Sequence, residues 1–104
     1  MDKVTTVTLI AETEMLDELR QPIMTESSRT VYCTELNLTR SEWSAASQRS
    51  IRADHVLKVS SFDYNGESLA EFNGKRLEIY RIYGIGDYIE LYLGERVGDL
   101  SANA

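Results

Sequence analysis

Residues 63–76 read Asp-Tyr-Asn-Gly-Glu-Ser-Leu-Ala-Glu-Phe-Asn-Gly-Lys-Arg, and this stretch decides how the C-terminal half of the chain is interpreted. It holds two Asn-Gly pairs, each flanked by residues that favour strands. Asn-Gly readily adopts the positive φ angles of a two-residue type I′ turn, which joins neighbouring antiparallel strands. We therefore predict a meander with strands over residues 55–64, 67–72 and 75–83.

A further strand is predicted over residues 88–96, after a turn at residues 84–87. Apolar and polar side chains alternate from Ile89 to Leu93, and a period of two is typical of a strand with one buried face. Gly94 near the end of this strand predicts a bulge or a sharp bend.

The N-terminal half is also predicted to be mostly extended. Residues 4–10 are dense in β-branched side chains, which favour strands. A second strand is predicted over residues 29–38. Residues 16–22 are largely polar and end in Pro22, so we expect a loop between the two strands.

One short helix is predicted over residues 39–52. Thr39 and Glu42 have the spacing of a capping box, in which the Thr hydroxyl caps one backbone N–H and the Glu carboxylate reaches back to another. Trp43 and Ala46 then follow at helical spacing. Six strands and one helix in 104 residues predict a single all-β domain, a small antiparallel barrel or sandwich.

The last two strands carry apolar side chains on both faces. Leu77 and Ile79 share one face, which we assign to the core. Four large side chains belong to the second face: Tyr80, Ile82, Tyr88 and Tyr92. A small barrel has one interior, so either the helix, the loop at residues 16–22 or a partner protein must cover this second face.

Composition excludes several classes of protein. The net charge of −6 argues against a general binder of the phosphate backbone, which needs clustered Lys and Arg. No apolar run is long enough to cross a bilayer and the start of the chain does not resemble a signal peptide, so we expect no membrane association. The single Cys33 fits a reducing compartment.

A catalytic constellation is not evident. His55 is the only histidine, and its neighbour Asp54 should point to the opposite face of the strand. Cys33 lies in an apolar strand and should pack as a small hydrophobic residue. One His, one Cys and scattered carboxylates do not make a metal site. We therefore expect a non-enzyme with no catalytic residues, no metal and no cofactor.

Charge is segregated locally. Five carboxylates and one guanidinium lie in residues 12–26, whereas residues 40–52 carry three Arg against one Glu. Charge runs are usually solvated faces. The alternative is a head-to-tail contact between copies, with the acidic segment of one near the basic helix of the next.

The order of motifs resembles the head-closure (stopper) proteins of long-tailed bacteriophages. The resemblance covers most of the chain, and the strings that carry it are Thr39-Arg40-Ser41-Glu42-Trp43, Asp63-Tyr64-Asn65-Gly66-Glu67, Asn73-Gly74-Lys75-Arg76, Ile79-Tyr80-Arg81-Ile82-Tyr83 and Ile89-Glu90-Leu91-Tyr92-Leu93. It implies a small β-barrel with a helix-bearing excursion between strands 2 and 3, here at about residues 36–54, and a flexible tail at about residues 98–104.

The resemblance also implies a function. Such a protein closes the portal channel after DNA packaging, retains DNA in the head and provides a docking platform for the tail. It forms a homo-oligomeric ring, twelve-fold to match the portal. The ring lies between the portal or adaptor protein and a tail-completion protein. Packaged DNA passes without sequence-specific binding. The expected location is the virion, and the host cytoplasm during assembly.

Two sets of residues are candidates for these roles. The channel or gating segment is represented by Arg40, Glu42, Trp43, Arg49 and Arg52, and the subunit or partner interface by Tyr80, Ile82, Tyr88 and Tyr92. The alternative function is a small OB-like barrel that binds a peptide or single-stranded nucleic acid. The interleaving of the tyrosines with Glu78, Asp87 and Glu90 disfavours a polyanionic ligand.

Overall fold

A computed structural model describes residues 3–97 of the chain. The predicted flexible tail at residues 98–104 lies outside the described residues. The elements in chain order are β1 (Lys3–Leu16), β2 (Pro22–Leu36), α1 (Arg40–Gln48), β3 (Ile51–Ser60), β4 (Leu69–Phe72), β5 (Lys75–Ile85) and β6 (Tyr88–Arg96).

The six strands form a closed antiparallel barrel in the order β1-β2-β3-β6-β5-β4, and pairing of β1 with β4 completes the ring. This confirms the predicted all-β fold with six strands and one short helix between strands 2 and 3. The predicted meander is wrong in one respect, because β3 pairs with β2 and β6 rather than with β4. A long loop at residues 61–68 carries the chain from β3 to β4.

The two Asn-Gly pairs have different structures. Asn73 and Gly74 both have positive φ, of 54° and 79°, and join Phe72 directly to its partner Lys75 as the type I′ turn requires. At the first pair only Gly66 has positive φ, and it lies in the loop at residues 61–68. The predicted hairpin there is wrong because the loop is held by the buried Glu67 instead.

The core lies inside the barrel and follows the predicted period of two. Alternate residues of the strands point inward, for example Leu57 and Val59 on β3, Leu77 and Ile79 on β5, and Leu91 and Leu93 on β6. Cys33 joins this core and is free of any disulfide. A smaller cluster outside the barrel contains Ala46, Ile51, Ala53, Leu38 and Tyr80, and fixes the helix to the sheet.

The β1–β2 hairpin is longer than predicted. Its strands pair without interruption from Lys3↔Glu35 to Leu16↔Pro22. Only residues 8–10 of β1 pair with β4 and only residues 34–36 of β2 pair with β3. The outer part, residues 11–28, therefore projects beyond the barrel as a two-stranded ribbon, by about 20 Å at roughly 3.3 Å per residue.

The excursion is shorter than predicted, because it covers residues 37–50. Thr39 is the N-cap, and its hydroxyl accepts a hydrogen bond from the Glu42 N–H at 3.1 Å. The helix ends at Gln48, and Ser50 turns the chain with a φ of 62°. β3 then begins at Ile51, four residues before the predicted start, because Ile51 and Ala53 are buried alternately with the exposed Arg52.

Two bulges face the same part of β6. The register of β3 shifts at Asp54, between the pairs Ala53↔Gly94 and His55↔Leu93. The register of β5 shifts at Tyr80, between the pairs Ile79↔Leu93 and Arg81↔Tyr92. Gly94 lies next to them, where a Cβ would come within 2.5 Å of the Arg52 carbonyl oxygen. The predicted irregularity at Gly94 is therefore a close approach of two backbones.

Candidate interaction surfaces

The predicted gating residues are spread along the excursion and into β3. Arg40 starts the helix, Glu42 and Trp43 lie in its first turn, and Arg49 follows its last residue. Arg52 lies outside the excursion, in β3. The structure therefore brings four of the five residues together on one short segment.

Glu42 fastens the helix to β5. Its carboxylate accepts a hydrogen bond from the Tyr80 hydroxyl at 2.9 Å and an ion-paired bond from Arg81 Nη1 at 2.7 Å. The side chain of Glu42 is nearly buried by these contacts. The predicted return of Glu42 to the N-cap backbone is therefore wrong, because Tyr80 and Arg81 offer it a stronger, charge-assisted pair of donors.

Tyr92 is the neighbouring anchor on β6. Its ring packs edge-on against Tyr80 at a centroid distance of 6.3 Å, and the Arg81 guanidinium lies 4.4 Å above it. Its hydroxyl donates to Glu90 Oε1 at 2.8 Å. Burial raises the pKa of Tyr92 to about 12, and the hydrogen bond to Glu90 and the negative charge of that carboxylate contribute smaller effects in the same direction. Burial and the bond to Glu42 likewise raise the pKa of Tyr80 well above its usual range.

These contacts line a cleft of about 480 Å³ between the helix and the sheet. Glu42 and Ala45 form its helical side, and Val56, Glu90 and Tyr92 form its floor. The lining carries two carboxylates, Glu42 and Glu90, and one guanidinium, Arg81, which is paired with Glu42. The helix thus covers Tyr80 and Tyr92, which is one of the three ways in which the sequence allowed the second face of these strands to be shielded.

Ile82 and Tyr88 remain exposed near the β5–β6 turn, together with Tyr83 and Ile85. Lys58 Nζ lies 4.9 Å from the centre of the Tyr88 ring. The predicted interface residues therefore divide into two pairs, one under the helix and one open to solvent. The interface role itself stays a prediction for all four.

A second depression, of about 450 Å³, lies at the start of the helix. It is lined by Leu38, Thr39, Arg40 and Trp43, and the Trp43 side chain is 50% exposed. Among residues 3–97, neither Arg40 nor Arg49 forms an ion pair, whereas Arg52 pairs with Glu95 at 3.0 Å. The depression therefore combines an exposed indole with an unneutralised guanidinium.

The tip of the projecting ribbon is the surface that sequence reasoning missed. Leu19 is 76% exposed, and four further apolar side chains are exposed beside it: Met15, Leu16, Ile23 and Met24. The Asp17 carboxylate accepts hydrogen bonds from the N–H groups of Leu19 and Gln21, both at 2.8 Å, and Arg20 turns the chain at a φ of 59°. Because residues 16–22 are mostly polar, the sequence predicted a loop there and not an ordered turn with exposed apolar side chains.

The loop at residues 61–68 is fixed to the barrel by the Arg29–Glu67 ion pair at its centre and by backbone hydrogen bonds at Ser61 and Ser68. Glu67 is 5% exposed and accepts from Arg29 Nε at 3.1 Å and Nη2 at 2.8 Å, while the Asn65 N–H donates to its other oxygen. The Arg29 guanidinium also donates to the Asp63 carbonyl. Burial alone would raise the pKa of Glu67, but the hydrogen bonds from Arg29 and from the backbone outweigh it and lower the pKa.

His55 and Cys33 both pack against other side chains of the barrel. His55 Nδ1 lies 2.8 Å from Glu35 Oε2, and its ring packs edge-on against Phe72. Burial, then the nearby Glu35, raises the pKa of Cys33 to about 11, so its thiol stays protonated. Within residues 3–97, no three His, Cys, Asp or Glu side chains converge as metal ligands would.

No helix among the described residues has the length and apolar character needed to cross a bilayer. Comparisons of this chain with protein-family models, with curated proteins and with solved structures give no match. The functional assignment therefore depends on the residues, the fold and the surfaces described above.

Proposed function

We propose that this chain is a head-closure component of a long-tailed bacteriophage. In this function it forms a ring below the portal or adaptor protein, closes the channel after packaging, retains DNA and gives the tail-completion protein its docking platform. Its place is the virion, and the host cytoplasm during assembly. The observation that carries the proposal is the insertion of a helix-bearing excursion between β2 and β3 of a closed six-stranded barrel, the architecture that the motif resemblance implies.

The packing of the excursion supports a gating role. Glu42 is engaged within the molecule by Tyr80 and Arg81, and these contacts hold the segment on the barrel. Arg52, in β3, pairs with Glu95 of the neighbouring strand, whereas Arg40, Trp43 and Arg49 remain available to other molecules. A helix that is anchored to the barrel and carries an exposed Arg at each end suits a segment that must contact a DNA end or the same segment of other subunits in a ring.

Net charge supports a conduit for DNA. Because each phosphate that a protein neutralises adds affinity, a channel that lets DNA pass should carry few free cations. Most of the Arg and Lys side chains outside the excursion are engaged with carboxylates, including Arg29, Lys75, Arg76, Arg81 and Arg96. A net charge of −6, with six of the ten Arg and Lys side chains in residues 4–97 paired to carboxylates, fits passage without sequence-specific binding.

The decisive experiment removes this chain from the virus that encodes it and images the particles by electron microscopy. We expect full-sized heads that have lost their DNA and carry no tails. Heads that stay filled with DNA, or that acquire tails, would overturn the proposal.

A matched pair of variants tests the gating role in the same particles. Arg49→Gln and Asn73→Asp each lower the net charge by one, and Asp is tolerated at the positive φ of Asn73. We expect DNA loss with Arg49→Gln alone. Equal retention in both variants would contradict a role for Arg49 in closure.

Binding of single-stranded nucleic acid by an OB-like barrel is the competing outcome. A gel-shift measurement at low salt separates the two functions, because an OB-type reader binds tightly and loses affinity steeply with salt. We expect no shift at micromolar protein. A tight, salt-sensitive shift would favour the OB-like function.

A further inference from the structure

Two unpartnered surfaces lie at opposite ends of β2. The ribbon tip precedes its first residue, Pro22, and the depression at Leu38, Arg40 and Trp43 follows its last residue, Leu36. Fourteen steps along a strand correspond to about 46 Å at roughly 3.3 Å per residue, close to the longest dimension of the molecule, 52 Å. The tip cannot reach the depression of its own chain.

The chemistry of the two surfaces is complementary. The tip presents Leu19 among carboxylates, since residues 11–28 hold five acidic side chains and one Arg. Of those five, Glu26 is neutralised by Arg76, whose Nη1 and Nη2 each donate to one carboxylate oxygen at 2.9 Å. Among residues 3–97, Glu12, Glu14 and Glu18 form no ion pair. The depression offers an exposed indole beside the unpaired Arg40.

We propose that the ribbon tip of one copy docks into the depression of a second copy of this chain. Leu19 and its apolar neighbours pack on Trp43 and Leu38, and the free carboxylates of the tip face Arg40. This inference rests on the proposed function, and it names the surface through which neighbouring subunits meet. Arg49, at the other end of the helix, is left for the channel.

The tip is prepared for such a contact. Asp17 closes the turn with hydrogen bonds to Leu19 and Gln21, and the backbone adds a bond from the Arg20 N–H to the Asp17 carbonyl at 2.9 Å. Leu19 is therefore presented on an ordered turn, which reduces the entropy lost on docking. An isolated two-stranded ribbon is only marginally stable in water, so a partner would also stabilise the projecting strands.

A tip and a depression on different parts of the surface make a heterologous contact. Contacts of this kind run head to tail, and they close into a ring when the rotation between neighbours permits it. Each copy gives one tip and receives one, so every subunit of the ring has the same environment. The acidic ribbon and basic helix that the sequence separates would meet at each boundary.

Mixing two variants of the full chain tests the contact. Leu19→Glu damages the tip and Trp43→Ala damages the depression, and both side chains are exposed enough for the fold to tolerate the change. Phe62→Ala is the control, because Phe62 is 85% exposed in the loop at residues 61–68. Association is measured by sedimentation velocity at increasing concentration.

We expect the wild-type chain and Phe62→Ala to associate, and each of the other two variants to lose at least about tenfold in affinity, as for a central interface residue. An equimolar mixture of Leu19→Glu and Trp43→Ala should give dimers and nothing larger, because only one intact tip meets one intact depression. Higher salt should weaken the association.

Three results would overturn the inference: a wild-type chain that stays monomeric at millimolar concentration, association that survives Leu19→Glu, or a mixture that gives no dimers. Each leaves the proposed function standing, because DNA retention is measured on particles. Conversely, DNA-filled heads made without this chain would overturn the proposed function even if the tip docks as described.

Discussion

The hydroxyl of Tyr80 donates a hydrogen bond to Glu42 at 2.9 Å, and this bond joins the excursion to β5. Tyr80 stands at the bulge of β5, where the register shifts between Ile79 and Arg81. Alternation with the inward-facing Leu77 and Ile79 turns the Tyr80 ring out of the barrel, where it packs with Ala46 and Ile51. Because Arg81 pairs with Tyr92 after the shift, it lies on the same outer face as Tyr80, and two successive residues of β5 donate to Glu42.

Tyr80→Phe should lower the free energy of unfolding by about 1 kcal/mol, the usual net contribution of one hydrogen bond. The reason is that the Glu42 carboxylate loses one of its two donors while the ring packing remains. Urea unfolding followed by circular dichroism gives the value. Tyr83→Phe is the control, since Tyr83 is exposed, and equal effects of the two changes would contradict the anchor.

Glu67→Gln should destabilise the protein by about 2 kcal/mol at pH 7, because hydrogen bonds to charged groups contribute roughly 1.5–3 kcal/mol. Glu71→Gln, on the exposed side of β4, should have little effect. The measurement is urea unfolding of both variants beside the wild-type chain. A loss as large in Glu71→Gln would show that the Arg29 pair is not the cause.

The same pair should make stability depend on pH. The pKa of Glu67 is lowered in the folded chain from its usual 4.5, so its contribution is complete above about pH 4.5 and is lost as the pH falls through the folded value. The stability difference between wild type and Glu67→Gln should therefore shrink on acidification. A difference that stays constant from pH 7 to pH 3 would contradict this linkage.

Gly94→Ala should cost about 1–3 kcal/mol, as overpacking does when backbone must move. The added Cβ would lie 2.5 Å from the Arg52 carbonyl oxygen and 3.0 Å from Ile51 Cγ2. Gly84→Ala is a matched control, because nothing lies within 4 Å of its Cβ position. Thermal unfolding of the two variants should separate them clearly, and similar melting temperatures would argue against the close approach.

Cys33 should resist alkylation in the folded chain. Its pKa is raised from 9.0 to about 11, so at pH 8 only about one thiol in 1,000 is ionised, compared with about one in ten at the unperturbed value. We expect iodoacetamide to react at least about 100-fold more slowly than in urea, as measured by mass spectrometry. Rapid labelling of the native protein would show that the thiol is accessible.

Local features of the fold could be predicted from the sequence, whereas strand partners could not. The turn at Asn73-Gly74 and the cap at Thr39 depend on residues within four positions of each other, and the structure confirms both. At Asn65-Gly66 the same local signal failed. Glu67 there pairs with Arg29, 38 residues earlier, and a buried charge with its partner overrides a turn preference.

For the candidate surfaces as well, features set by neighbouring residues could be predicted and features set by strand pairing could not. Alternation assigned Tyr80 and Tyr92 to a second face correctly, but its assignment of Ile82 to that face is wrong. The bulge at Tyr80, which leaves no mark in a period-two pattern, pairs Ile82 with the buried Leu91 on the opposite face. The exposed position of Leu19 was not predicted, because Leu19 lies among polar residues in the sequence. Its exposure follows from the length of the β1–β2 pairing, which carries it beyond the barrel. Arg52 was assigned to the excursion because charge, unlike burial, does not show where a strand begins.

The β1–β2 hairpin is joined to the other four strands by two narrow seams, at residues 8–10 and at residues 34–36. Local opening is easiest where few backbone hydrogen bonds must break, so within the barrel we expect the amides of these seams to exchange with solvent before those of the longer β3–β6 pairing. The same opening would release the hairpin as a unit and admit water to Val7, Leu9 and Cys33.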